Sequence, residues 1–164
     1  MNIRTCSLLS LSFLFCIFFA ISPAISQENS PPGKNYNGWE KDSEYGKLYD
    51  YKERDTLKGK IISFKKIVPL TGMAPGTAAI LDEGEEKILV HICPWDFATP
   101  DQTGIKKGMK TKVAGCWALI DGKDVFIAAK VKQGDNFSFK VRMTKDGTPF
   151  WSMNEEELAQ EKAE

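Results

Sequence analysis

The sequence predicts an all-β domain of five strands, and three observations predict it. From Thr56 onward, apolar and polar residues alternate in part, in runs bounded by glycine, proline and acidic residues. Asp121-Gly122 lies between two such runs as a two-residue hairpin signal. A stretch at 94–108 breaks the alternation between the third run and the fourth. Hydrophobic residues at 42% and charged residues at 27% of 164 are the proportions of an ordinary globular protein with one domain. Lys+Arg and Asp+Glu both number 22, so no whole-protein field draws in nucleic acid or an anionic membrane.

The chain opens with Arg4, then "LLSLSFLFCIFFAI" (8–21), then Ala24-Ile25-Ser26 ahead of Gln27. A basic start, a short apolar run and small residues before a cleavage point form the layout of a secretory signal peptide over residues 1–26. The run falls short of the roughly 20 apolar residues a membrane-spanning helix needs. The expected address is therefore exported, periplasmic or an equivalent compartment, with no membrane span after cleavage. Residues 27–55 read as a flexible leader, "QENSPPGKNYNG", followed by a segment whose aromatics, Trp39, Tyr45, Tyr49 and Tyr51, rest on the domain.

The first strand is "TLKGKIISFKKIV", bent at Gly59. A loop holding Pro69, Gly72, Pro75 and Gly76 leads to "TAAIL", and "DEGEE" turns the chain into "KILVHI". In this third strand Ile88, Val90 and Ile92 share one face, and Leu89, His91 and Cys93 the other. Pro94 stops the ladder, and 94–108 has room for one helical turn. The fourth strand is "MKTKVAGCWALI" and the fifth "KDVFIAAKV", with a short additional strand expected near 137–143. Ser152-Met153-Asn154-Glu155 fits a capping box that opens an acidic helix over 152–164.

Three strands, a connecting segment and two strands is the order of the OB-fold, a five-stranded Greek-key barrel, here spanning 56–151. An open antiparallel sandwich is the competing fold. Gly59 and Gly115 lie mid-strand, where sharply curled sheets need glycine. The stretches "LKGKIISFKKIVPLTGM", "ILVHICPWDF", "IKKGMKTKVAGC", "DGKDVFIAAKV" and "FKVRMTKDGTPFW" resemble a family of small exported bacterial OB-fold proteins, sometimes labelled DNA-binding on fold grounds. In that family's pattern glycine stands where this chain has Cys93. The resemblance implies an accessory subunit of an exported redox assembly, with a protein partner.

Chemistry concentrates in "HICPWDF" (91–97), which holds the chain's one histidine. His91 and Cys93, with Met73 and Met109 as soft co-ligands, form a donor set suited to Cu(I). The competing reading makes His91 a rim residue and Cys93 a buried or disulfide-bonded thiol. Cys93 and Cys116 are the two cysteines beyond the signal, and in an exported protein such a pair is a candidate disulfide. C-x-x-C-H is absent from the sequence, which excludes covalent c-type haem; His91 or Cys93 remains as an axial ligand for loosely bound haem. No G-x-S-x-G, H-E-x-x-H, P-loop or Rossmann fingerprint occurs, so the expectation is a binding protein and not an enzyme, with no cofactor required.

Two surfaces are open to binding. Lys58, Lys60, Lys65, Lys66, Lys106, Lys107, Lys110 and Lys112 form a basic set near Trp95 and Trp117, as single-stranded nucleic acid would require, although lysines on outward strand positions more often solvate and protect edges. Trp39, Trp95, Phe97 and Trp151, beside His91 and Cys93, form an aromatic rim suited to a protein partner or to a second copy of the chain. The same flanking aromatics would equally seal the ends of a barrel.

Overall fold

The computed structural model describes residues 33–163. The signal peptide expected over 1–26 and the first part of the expected leader lie outside the described residues. Six strands form one sheet: β1 (Asp55–Ile67), β2 (Gly76–Asp82), β3 (Lys87–Pro94), β4 (Lys110–Ile120), β5 (Lys123–Gln133) and β6 (Phe137–Lys140). Two short helices, α1 (Pro100–Thr103) and α2 (Glu155–Ala163), complete it with 3-10 turns at Gly46–Leu48 and Phe150–Ser152. The order is β3-β2-β1-β4-β5-β6, antiparallel throughout. β3 also meets β5 in parallel, through Val90↔Phe126 and His91↔Ile127, so the sheet returns on itself.

The closure depends on β1. Its first half pairs with β4, from Asp55↔Gly115 to Lys60↔Lys110, and its second half with β2, from Lys60↔Asp82 to Ile67↔Gly76. The strand changes partner at Gly59-Lys60, and a Cβ on Gly59 would run into the Asp82 carbonyl. Gly115 plays the matching part in β4: the register slips between Ala114 and Gly115, and a Cβ there would strike the Ile127 carbonyl. From that point the buried positions of β4 change from odd to even, turning Trp117 and Leu119 outward. Asp121 and Gly122 both have positive φ, 50° and 70°, as a type I′ hairpin turn requires.

Inside the ring lie Leu57, Ile61, Leu81, Val90, Ile92, Val113, Phe126, Ile127 and Val131, all buried. Residues 33–51 do not trail away: Tyr36, Trp39, Tyr45 and Tyr49 join the same core. The capping box of α2 lies two residues beyond the expected one. Ser152 sits in the 3-10 turn, its hydroxyl on the Pro149 carbonyl, while Asn154 and Glu157 cap α2 reciprocally at 3.0 and 2.9 Å. Among the described residues no helix is long and apolar enough to cross a membrane.

Candidate functional site: a buried histidine, arginine and aromatic cluster

β3 carries His91 into a layer covered by the folded-back N-terminal segment. The imidazole is 3% exposed, and its Nδ1 lies 3.1 Å from the Tyr45 hydroxyl, with the two rings stacked at 5.9 Å. Tyr45 in turn meets Trp39 edge-on at 4.9 Å, and Trp39 meets Trp151 at 90° and 5.9 Å. Both indoles spend their N–H on backbone: Trp39 Nε1 donates to the Ala74 carbonyl and Trp151 Nε1 to the Trp39 carbonyl, each at 2.8 Å. Phe97 packs on Trp151 from the side. Trp39 and Trp151, expected on a binding rim, are therefore buried and seal one side of the closed sheet.

Trp95 and Phe97 stay half-buried. Lys66 Nζ stands 4.5 Å above the Trp95 ring. Phe97 and Trp151 border a groove of about 970 Å³ under α2, together with Phe139, Lys140 and Leu158.

The four residues expected to hold copper do not converge. Met73 precedes β2, whereas Met109 adjoins Lys110, which pairs with Lys60 opposite Asp82 at the far end of β2. The six steps of β2 alone separate those ends by about 20 Å. Cys93 points its thiol at the Ala98 carbonyl, 3.5 Å away, and its register partner is Thr77 on β2. A bulge at Thr77/Ala78 also breaks the two-residue spacing that was to place His91 and Cys93 on one face. Among the described residues no group of three or more His, Cys, Asp or Glu side chains is arranged to hold a metal ion.

The candidate disulfide is not formed. Cys93 and Cys116 are free and buried; Cys116 lies in β4, opposite Ile127, with its sulfur 4.0 Å from the Leu48 carbonyl. Burial pushes both thiols up, Cys116 to about 11, which keeps them protonated and unreactive.

Arg142, which the sequence reading did not single out, completes the cluster. It is 1% exposed, and its guanidinium lies 4.8 Å from the centre of the Tyr49 ring and 5.1 Å from that of Trp151. Nη1 reaches the Gly147 carbonyl at 3.4 Å; Nε, Nη2 and the Tyr49 hydroxyl find no acceptor or donor among the described residues. Burial pulls the guanidinium below its ordinary value, and the neighbouring Tyr45, Tyr49 and Cys116 pull the other way. Burial likewise drives Tyr45 up and His91 down to about 4, so the histidine is neutral at ordinary pH. The only sequence signal for Arg142 is its rarity: it is one of three arginines, while the other cations are lysines.

Fold and site together define a protein with one β-sheet that returns on itself, an interior of neutral imidazole, protonated thiols and aromatic rings, and a plug drawn from residues 36–49 and 142–151. Residues 53–138, just over half the chain, match the model of the MamS/MamX magnetosome protein family, and the chain belongs to that family. The match runs from β1 into β6 and includes His91, Cys93 and Cys116; Trp39, Tyr45, Arg142 and Trp151 lie outside it. No curated protein matches the chain. The broader resemblance to exported OB-fold accessory proteins draws no support from these comparisons, and neither does the narrower likeness to the tubule-inducing accessory subunit of nitrite oxidoreductase.

Proposed function

We propose that the chain is an exported OB-type barrel that works by binding, as an accessory or scaffolding subunit of an extracytoplasmic assembly. The ring β1-β2-β3-β5-β4, with its short parallel β3–β5 seam and its inserted α1, supports the OB reading. The observation that carries the binding reading is on the β4–β5 hairpin. Trp117 and Leu119, two residues apart on the outward face of β4, are 41% and 65% exposed. The Trp117 ring is braced edge-on by Phe126 at 5.2 Å and its N–H reaches Asp55 at 3.3 Å. A large aromatic held rigid beside an exposed leucine is the composition of an interface anchor. Trp39 and Trp151 are buried and bonded to backbone carbonyls, and so serve the core and not this surface. The family's name ties its members to the magnetosome, and a redox partner is the reading that the resemblance suggested.

The test is cross-linking in native extract with a photoreactive residue at position 119, compared with the same residue at position 65. A discrete partner band at 119, absent at 65 and lost on Trp117→Ser, supports the proposal. Recovery of monomer alone at both positions overturns it.

A further inference from the structure

We propose that the outer face of β1, β4 and β5 is a second binding site, which takes an extended acidic polypeptide. The residues are Lys58, Lys60, Lys110, Lys112 and Lys132, and they line a groove of about 660 Å³. The strand register fixes their arrangement. Lys58 sits directly opposite Lys112, Lys60 opposite Lys110, and Lys112 opposite Lys132. Residues opposite one another in antiparallel strands share a face, and so do residues two apart on one strand. All five ammonium groups therefore leave the same surface, and all five residues are exposed.

This placement opposes stability. Like charges directly across from each other disfavour a sheet by a few tenths of a kcal/mol to about 1 kcal/mol per pair. Three such pairs occur side by side in a chain whose net charge is zero. None of the five lysines forms an ion pair among the described residues. Two acids offset part of the repulsion: Asp82 lies opposite Lys60 on β2 and accepts from the Gly84 N–H at 2.9 Å, and the Glu83 carboxylate accepts from the Lys58 backbone N–H at 2.8 Å. Asp135 is the remaining acid on the rim. A carboxylate-rich strand laid across the three rows would remove the repulsion and gain the attraction.

The groove's chemistry selects the ligand class. Its lining contains lysine, glycine, threonine and the three acids, and no aromatic side chain. Single-stranded nucleic acid takes much of its affinity from base stacking on aromatics, which this face does not offer. Lysines suit monodentate carboxylates on a flexible chain, whereas bidentate phosphate recognition favours arginine. The site lies apart from Trp117 and Leu119, so it adds to the hairpin surface and stands or falls separately from it.

The experiment is fluorescence anisotropy of a labelled decaglutamate with the full chain, at low salt and at about 0.3 M salt. The comparison sets Lys58→Ser/Lys112→Ser/Lys132→Ser against a control of equal charge loss, Lys65→Ser/Lys106→Ser/Lys107→Ser. The expected result is saturable binding that the first variant weakens about tenfold or more and the control by less than about threefold. The unliganded Lys112→Ser protein is also expected to unfold at higher urea than wild type, because it relieves two like-charge pairs. Equal loss in both triple variants, no saturable binding by wild type, or tighter binding of an oligothymidylate of the same length overturns the proposal. If the chain's own acidic segment 153–163 proves to be the occupant, deleting it will raise the affinity for decaglutamate; this supports the ligand class and identifies its source.

Discussion

His91 makes the account testable by acid. The perturbation is a fall in pH from about 7 to 4, applied to wild type and to His91→Gln. In the folded protein burial lowers the imidazole from 6.5 to about 4. Between those values the unfolded chain holds a proton that the folded chain refuses, so stability falls as pH drops through 6.5 and the loss is complete below about 4. At 1.36 kcal/mol per unit, the 2.5-unit difference corresponds to about 3 kcal/mol, a large part of a small domain's stability. The assay is urea unfolding followed by tryptophan fluorescence at several pH values. His91→Gln begins less stable, because it disturbs the Tyr45 contact, but lacks this slope. Wild type is expected to lose about 3 kcal/mol more than the variant across the window. The Asp146 carboxyl, which burial pushes up but which the hydrogen bonds from Thr148 and Lys41 together with the Lys41 charge hold down at about 2, loses its contribution at lower pH and is common to both proteins. Parallel curves would refute the reasoning, since a histidine reaching solvent would titrate alike in both states.

The remaining predictions address the plug, the ring and the thiols. Trp151→Ala removes a buried indole, its bond to the Trp39 carbonyl and the Arg142 stack, and should cost about 3–5 kcal/mol in urea unfolding. Arg142→Met should be neutral or stabilising, because it removes a buried charge with no carboxylate partner among the described residues, while Arg142→Ala should cost about 2 kcal/mol or more through the cavity left behind; thermal melts distinguish the two. Gly115→Ala forces a Cβ onto the Ile127 carbonyl and should lower the melting midpoint more than Gly84→Ala, which meets no neighbouring atom and costs only the strain of an alanine at φ 109°. Cys93 and Cys116 should resist a thiol reagent in the folded protein and both react in urea, as peptide mapping would show; a Cys93–Cys116 linked peptide would contradict the structure.

Much of the fold was legible because strands with one wet face alternate. The Asp121-Gly122 hairpin and the helical turn inside 94–108 follow from local chemistry and occur in the structure; at Gly59 the strand changes partner, while its register irregularity falls at Ile61/Ser63. The site was less legible, because it depends on parts of the chain distant in sequence. Alternation placed His91 on the face opposite Ile92, but it could not reveal that residues 36–49 cover that face as well. β3 is therefore buried almost throughout, and its histidine becomes a core residue. Arg142 escaped notice because arginine is ordinarily a surface residue, and only the Tyr49 and Trp151 rings that enclose it make its burial intelligible. The two thiols invited a disulfide on compartment grounds, yet β3 and β4 do not lie side by side.

The central claim is that this chain acts through its outer surfaces while the histidine and thiols stay locked in the interior. Native mass spectrometry of the protein purified from its own compartment under non-reducing conditions tests it most directly. The account predicts a mass without copper or haem, with Cys93 and Cys116 both reduced, and partner-bound species that Leu119→Ser diminishes. A copper or haem adduct that disappears in His91→Ala would contradict it and make "HICPWDF" a ligand site.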